Sequence, residues 1–291
     1  MNSSPLDQLR YFFKQKNSLS NLVKINILIW LPLAIISLFS ALFKSGFSNE
    51  LINWLAVPSG LDNLVSKPWT IFTYMFLHKD FFHILFNMLM LYFGGMMFIQ
   101  FIGEKKLIQT YIWGGIFGAI FYISAFNLFP VFQGVVNQSY ALGASASVLA
   151  ILIAAATYTP ETKVQLILLG NIKLKYIAIG LVLLDLLSIE KGNPGGHIAH
   201  LGGAFYGYLF SFNLKRGLFK FPSFDFKNPF KRKSKLKFTK NTNRPVNDEK
   251  YNEIKIEKQK KIDEILDKIS KSGYDKLSKE EKDFLFKSSN N

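Results

Sequence analysis

Apolar residues in this chain fall into long blocks rather than alternating with polar ones, and the blocks stop near residue 214. A helix needs roughly 20 largely apolar residues to cross about 30 Å of hydrocarbon. The blocks at 25–43, 81–99, 107–126, 140–158, 174–187 (with flanks) and 197–214 are read as six such crossings. They are too long, and lack the two-residue period, for the strands of a membrane barrel. The pattern therefore predicts an all-α membrane protein, a bundle of six transmembrane helices spanning residues 25–214. The fifth block opens on Lys173 and Lys175, whose stems are expected to snorkel to the interface.

The flanking stretches have a different texture. Residues 1–24 mix Asp7 with Arg10, Lys14 and Lys16, have no apolar core, and read as a cytoplasmic leader. Residues 44–80 form the longest loop, with Trp54 and Trp69 among Pro58, Gly60 and Pro68. That loop is too apolar for a solvated linker and is expected to lie in the interface as short amphipathic helices. Residues 215–248 are basic and dotted with Pro222, Pro229 and Pro245, the composition of a flexible linker. Residues 249–291 place Ile254, Ile262, Ile265, Leu266 and Ile269 at near-helical spacing, break at Gly273, and restart after Ser278 with Glu281 three residues on. This predicts a small soluble helical hairpin whose second helix carries a capping box. It contains nothing suited to chemistry and is read as a solubilising appendage or a mount for a cytoplasmic partner.

Charge fixes the orientation. The net charge of +15 comes largely from the tail. An even number of crossings puts both termini on one side. Lys105 and Lys106, Lys163, and the tail cluster from Lys231 to Lys237 all fall on that side, which is therefore cytoplasmic. With no base-reading module beside it, the basic tail is assigned to topology and to the bilayer surface, not to nucleic acid. There are no cysteines, which excludes disulfides, thiolate catalysis and cysteine-bound zinc. No cofactor and no metal are expected. The expected location is a bacterial inner membrane.

A few polar side chains interrupt the blocks. His83 and Asn87 lie in the second, Ser145 in the fourth, His200 in the sixth. These three blocks all run inward from the outer face. At about 1.5 Å of rise per residue the four side chains sit roughly 5–10 Å below the outer surface. Ionisable groups at membrane depth are functional suspects, and a serine with a histidine is the minimum equipment for acyl transfer. His83 and Asn87, four apart, share a helix face. Gly203 and Gly207, four apart after His200, allow close helix packing.

Taken together, His78, His83-Ile84-Leu85-Phe86-Asn87, Gly95, Gly143-Ala144-Ser145 and Ala199-His200-x-x-Gly203-x-x-x-Gly207 resemble the rhomboid family of intramembrane serine proteases. The resemblance covers roughly residues 25–214. It implies a six-helix bundle with a Ser–His dyad open to the outer aqueous side, membrane-anchored proteins as substrates, Ser145 as nucleophile, His200 as general base, and His83 and Asn87 as oxyanion donors. Ala146 replaces a glycine common in relatives. Leu149 stands where some carry an aromatic ring against the catalytic histidine, and Thr70 where an arginine often follows the loop tryptophan. No Asp or Glu stands out as a third catalytic member; Asp185, near the outer end of block five, reads as structural or interfacial. Ser147, about 200° around the helix from Ser145, and His197, nearer the surface than His200, are the rival assignments. The rival functions are an inactive relative that binds or escorts membrane proteins, and a small transporter. The transporter reading fails to explain polar groups clustered at one depth.

Overall fold

The computed structural model describes residues 4–166, 170–218 and 248–289. The chain divides into two compact units, Met1–Phe226 and Lys227–Asn291. Most of the segment read as a linker, 219–247, lies outside the described residues.

In the first unit, the leader carries a helix of its own, α1 (Pro5–Lys14), capped by the Ser4 side chain. Helix α2 (Ser18–Leu42) follows, starting seven residues earlier than the apolar block because Asn17 caps it there. The long loop holds three short helices, α3 (Phe47–Leu55), α4 (Leu61–Ser66) and α5 (Thr70–Thr73). Then come α6 (Phe81–Phe101), α7 (Leu107–Leu128), α8 (Ser145–Tyr158), α9 (Leu174–Ser188) and α10 (Pro194–Arg216). Two short antiparallel strand pairs complete the unit: β1 (Val57–Pro58) with β2 (Tyr140–Ala141), and β3 (Lys163–Leu166) with β4 (Gly170–Lys173).

Among the described residues, three helices are by themselves long and apolar enough to cross a membrane: α2, α6, and α7 with the turn before it. Helix α8 is apolar but has only 14 residues, a rise of about 21 Å, short of the hydrocarbon layer. The block at 140–158 is thus not one continuous helix. Tyr140–Ala141 is strand, and Gly143, at φ +135°, holds the chain where a side chain is strained. Its N–H bonds to the Tyr74 carbonyl at 2.9 Å, and the helix begins at Ser145.

Short length suits α8 because it is the centre of the bundle. Every residue from Ala146 to Ala156 is buried, packed among α6, α7 and α10. Outer helices do the reverse: α2 turns Leu28, Leu31 and Leu38 outward, and α9 turns out Ile179, Leu184 and Leu187. Exposed apolar faces of this extent are what lipid, not water, accommodates.

The seam between α8 and α10 is built from small residues four apart on each helix. A Cβ on Gly203 would lie 2.1 Å from the Ala146 carbonyl oxygen, and one on Gly207 would lie 2.3 Å from that of Ala150. One turn further, Ser211 Oγ donates to the Ala154 carbonyl at 2.6 Å. These three contacts, four residues apart, hold the helices close over about two turns and fix the register of α10 on α8.

The loop is anchored without an arginine after Trp69. Trp69 stacks on Trp54 with centroids 5.7 Å apart and donates its indole N–H to the Trp54 carbonyl at 2.8 Å. Buried Thr70 donates to the Lys67 carbonyl at 2.6 Å. Buried Ser59 donates to the carbonyls of Val136 and Ser139. Outside the spans, Glu161 bridges Lys173 and Lys175, whose hydrogen bonds lower its carboxyl to about 2.

The second unit contains α11 (Asp248–Ser272) and α12 (Lys279–Ser289). Ser278 and Glu281 cap α12 reciprocally, each side chain accepting the other's backbone N–H at 3.2 and 2.7 Å. Ile265 and Leu277 are buried, and Lys268 reaches Glu281 from α11 at 2.8 Å.

Candidate active site

Ser145 is the first residue of α8. Ala144 in front of it provides no side-chain cap, so the N–H groups of the first turn keep their hydrogens for a ligand, at the positive end of the helix dipole. Two fixed points hold this turn in place: the Gly143–Tyr74 backbone bond, and the Tyr74 hydroxyl, which donates to the Gly115 carbonyl of α7 at 2.5 Å.

His200 is in the second turn of α10, one turn before Gly203. Its Nε2 lies 2.6 Å from Ser145 Oγ. The seam register brings the pair together, so α8 begins about 9 Å along α10. The other ring nitrogen, Nδ1, lies 2.8 Å from Oδ1 of Asp185 on α9. The expectation that no carboxylate is placed as a third member is therefore corrected. His197 Nδ1 lies 2.8 Å from the same oxygen, so His197, the rival to His200, partners Asp185.

The reason Asp185 and these histidines meet is topological. Helices α9 and α10 are joined by a five-residue loop, 189–193, and so run antiparallel as neighbours. Asp185 is fourth from the end of α9 and His197 fourth from the start of α10. Equal distances from the loop place them side by side, with His200 one turn deeper. An aspartate within an apolar helix was the available signal; its distance from the turn names its partners.

His83, in the first turn of α6, is on the opposite wall. Its Nδ1 accepts the Lys79 N–H at 3.3 Å. A backbone N–H only donates, so the neutral ring carries its proton on Nε2. That nitrogen faces Ser145: a Cβ on Gly143 would lie 2.9 Å from His83 Nε2 and 3.5 Å from Ser145 Oγ. Gly143 thus keeps clear the space between the imidazole and the hydroxyl. Asn87, one turn on, uses one amide hydrogen on the His83 carbonyl at 2.9 Å and has a second to offer. His78 is buried behind His83, ring centroids 5.1 Å apart. Burial, with His83 alongside, pushes it down to about 3, so it is neutral at ordinary pH.

Ser145, His200, Asp185, His83 and Asn87 line one cavity of about 980 Å³, which Leu149 also borders. Ser147, the rival nucleophile, is fully buried against Met75 and Gly115, away from that cavity. Asp185, His197 and His200 bring three potential metal-ligating atoms within 4.8 Å of one another. The two 2.8 Å separations are hydrogen-bond distances, and a metal there would take the Nδ1 of His200 out of the chain that ends on Ser145.

Comparison with known proteins identifies the family of the chain. A family model described as Rhomboid domain matches residues 65–217, more than half of the chain. The chain belongs to the rhomboid family. It is 30% identical over 171 residues to RHOMBOID-like protein 12, mitochondrial, of Arabidopsis thaliana, covering 55% of this chain and 51% of that protein. It is also 30% identical over 135 residues to Presenilin-associated rhomboid-like protein A, mitochondrial, of Danio rerio, covering 45% and 34%. This rhomboid therefore spans about half or less of the length of these two curated relatives. A second family model, a family of unknown function (DUF6576), matches residues 247–291, the stretch that holds the capped helical pair.

The donor role implied for His83 has a direct test. Under that role, His83→Ala is expected to lower kcat about 10²–10³-fold while leaving the Ser145–His200 contact in place. Steady-state cleavage of a transmembrane substrate checks it; a change below threefold would remove His83 from the oxyanion site.

Proposed function

We propose that this rhomboid is an intramembrane serine endopeptidase that cuts membrane-anchored proteins near the outer interface. The observation that carries the reading is the 2.6 Å contact of Ser145 Oγ with His200 Nε2, inside a cavity that also presents His83 and Asn87. Ser145 attacks the scissile carbonyl and His200 Nε2 takes its proton. The oxyanion forms where His83 Nε2–H, the free Asn87 amide hydrogen and the first N–H groups of α8 converge. His200 then gives the proton to the leaving amine, and water, activated by the same nitrogen, releases the acyl group from Ser145.

The same reading sets six crossings over residues 25–214, both termini in the cytoplasm of a bacterial cell, and the tail beyond them in the cytoplasm. The polar residues on the cavity wall, Asn49, Lys79, Asp80 and Asn193 among them, admit water from the outer face. A peptide bond within a helix is shielded by its own hydrogen bonds, so good substrates carry Gly or Pro near the cut.

In proteoliposomes, the full chain is expected to cleave a single-span substrate with such residues near its outer end, and Ser145→Ala is expected to leave no detectable product. Cleavage by Ser145→Ala equal to wild type would refute the nucleophile. No cleavage and no serine labelling by wild type would support a binding-only member instead.

A further inference from the structure

Asp185 is not used by a two-residue mechanism, yet no other carboxylate among the described residues reaches either residue of the pair. It is 9% exposed, on a helix that is otherwise apolar apart from its ends. One of its oxygens accepts both the His197 and His200 Nδ1 atoms at 2.8 Å. An ionised carboxylate only accepts, and one oxygen has lone pairs for two donors. Both Nδ1 atoms therefore carry protons. For His200 this leaves the lone pair on Nε2, which is the atom 2.6 Å from Ser145 Oγ.

We infer that Asp185 is a positioning residue: it fixes the His200 tautomer and ring plane for proton abstraction, and His197 in turn fixes Asp185. The inference rests on the hydrolase reading above and extends it from two residues to a four-residue chain, Ser145–His200–Asp185–His197. Leu149 offers His200 no aromatic ring to stack on, so the carboxylate supplies the orientation that packing does not. When His200 accepts the serine proton, the charge that develops on the ring lies beside the Asp185 carboxylate. The proton itself stays on His200, and the leaving amine later takes it. A carboxylate held this way stabilises the imidazolium without being protonated.

The choice of substitution separates positioning from mere packing. Asp185→Asn keeps size and hydrogen bonding, but its amide can donate to Nδ1 and favours the tautomer with the proton on Nε2, which cannot act as base. A drop in kcat on the order of 10³–10⁴ is expected, by analogy with the same exchange in a serine-protease triad, with KM within about threefold and unchanged thermal stability. The rate of inactivation by a fluorophosphonate should fall in parallel, since it reads the nucleophilicity of Ser145 and not substrate binding. Asp185→Glu, which restores a carboxylate, should recover at least ten times the Asn variant's kcat.

Wild-type activity together with an Asp185→Asn kcat within threefold of it would overturn the positioning role and leave the hydrolase reading standing. So would an Asp185→Glu variant no more active than Asp185→Asn. Loss of wild-type activity in EDTA with recovery on added zinc would also overturn it, because the three groups would then be metal ligands. A wild type that neither cleaves nor labels would sink the hydrolase reading and this role with it.

Discussion

His200→Ala is expected to lower kcat by about 10⁴ or more while KM changes little. That factor corresponds to roughly 5 kcal/mol of transition-state stabilisation. The reason is that the ring acts only when a proton moves. In the ground state its contact with Ser145 is an ordinary hydrogen bond, so substrate binding barely registers its loss. In the transition state nothing nearby replaces it. Asn87 has no basic nitrogen, and the Nδ1 of His83 accepts from the Lys79 N–H while its Nε2 carries a proton. His197 is bound through Asp185. Residual activity should come only from the oxyanion donors and substrate alignment. A kcat reduced less than tenfold would mean another group serves as base.

Gly203→Val is expected to cut activity sharply by a mechanical route. The first added carbon would sit 2.1 Å from the Ala146 carbonyl oxygen, and this is backbone, not a side chain able to swing aside. The helices must separate at that point. Ala146 is next to Ser145 and Gly203 is one turn from His200, so the separation acts directly on the 2.6 Å contact. Activity should fall by about 10²-fold or more, in line with the sensitivity of reaction geometry to about an ångström of displacement. Thermal stability in detergent should fall as well, because overpacking typically costs 1–3 kcal/mol. Gly217, with nothing within 4 Å of an added Cβ, is outside the seam. Retained activity and melting temperature in Gly203→Val would show that α8 and α10 do not meet as described.

Much of this was legible in the sequence, for physical reasons that can be traced residue by residue. The blocks at 81–99 and 107–126 became helices within a few residues of their limits, because lipid-compatible side chains leave the backbone no partner but itself. Ser278 and Glu281 showed the start of α12 three residues apart. Gly203 and Gly207 showed a close helix contact before any partner was known. Two things were less visible. The start of α8 was hidden because Tyr140–Leu142 is as apolar as the helix that follows; only Gly143 and its bond to Tyr74 separate strand from helix. Asp185 was visible as a polar residue but not as a partner. Its role depends on α9 and α10 forming an antiparallel pair, and pairing is a tertiary fact that apolar periodicity does not encode. The α1 helix within the leader was missed because its ten residues balance charge against apolar side chains, below any spanning pattern.

The central claim is that the Ser145 hydroxyl is a nucleophile activated by His200. The most direct measurement is mass spectrometry of the full chain, reconstituted in lipid and treated with a fluorophosphonate. The account expects a single adduct on the peptide containing Ser145, absent from Ser145→Ala and strongly reduced in His200→Ala. An unmodified Ser145 peptide in folded wild-type protein, or an adduct at Ser147 instead, would contradict it.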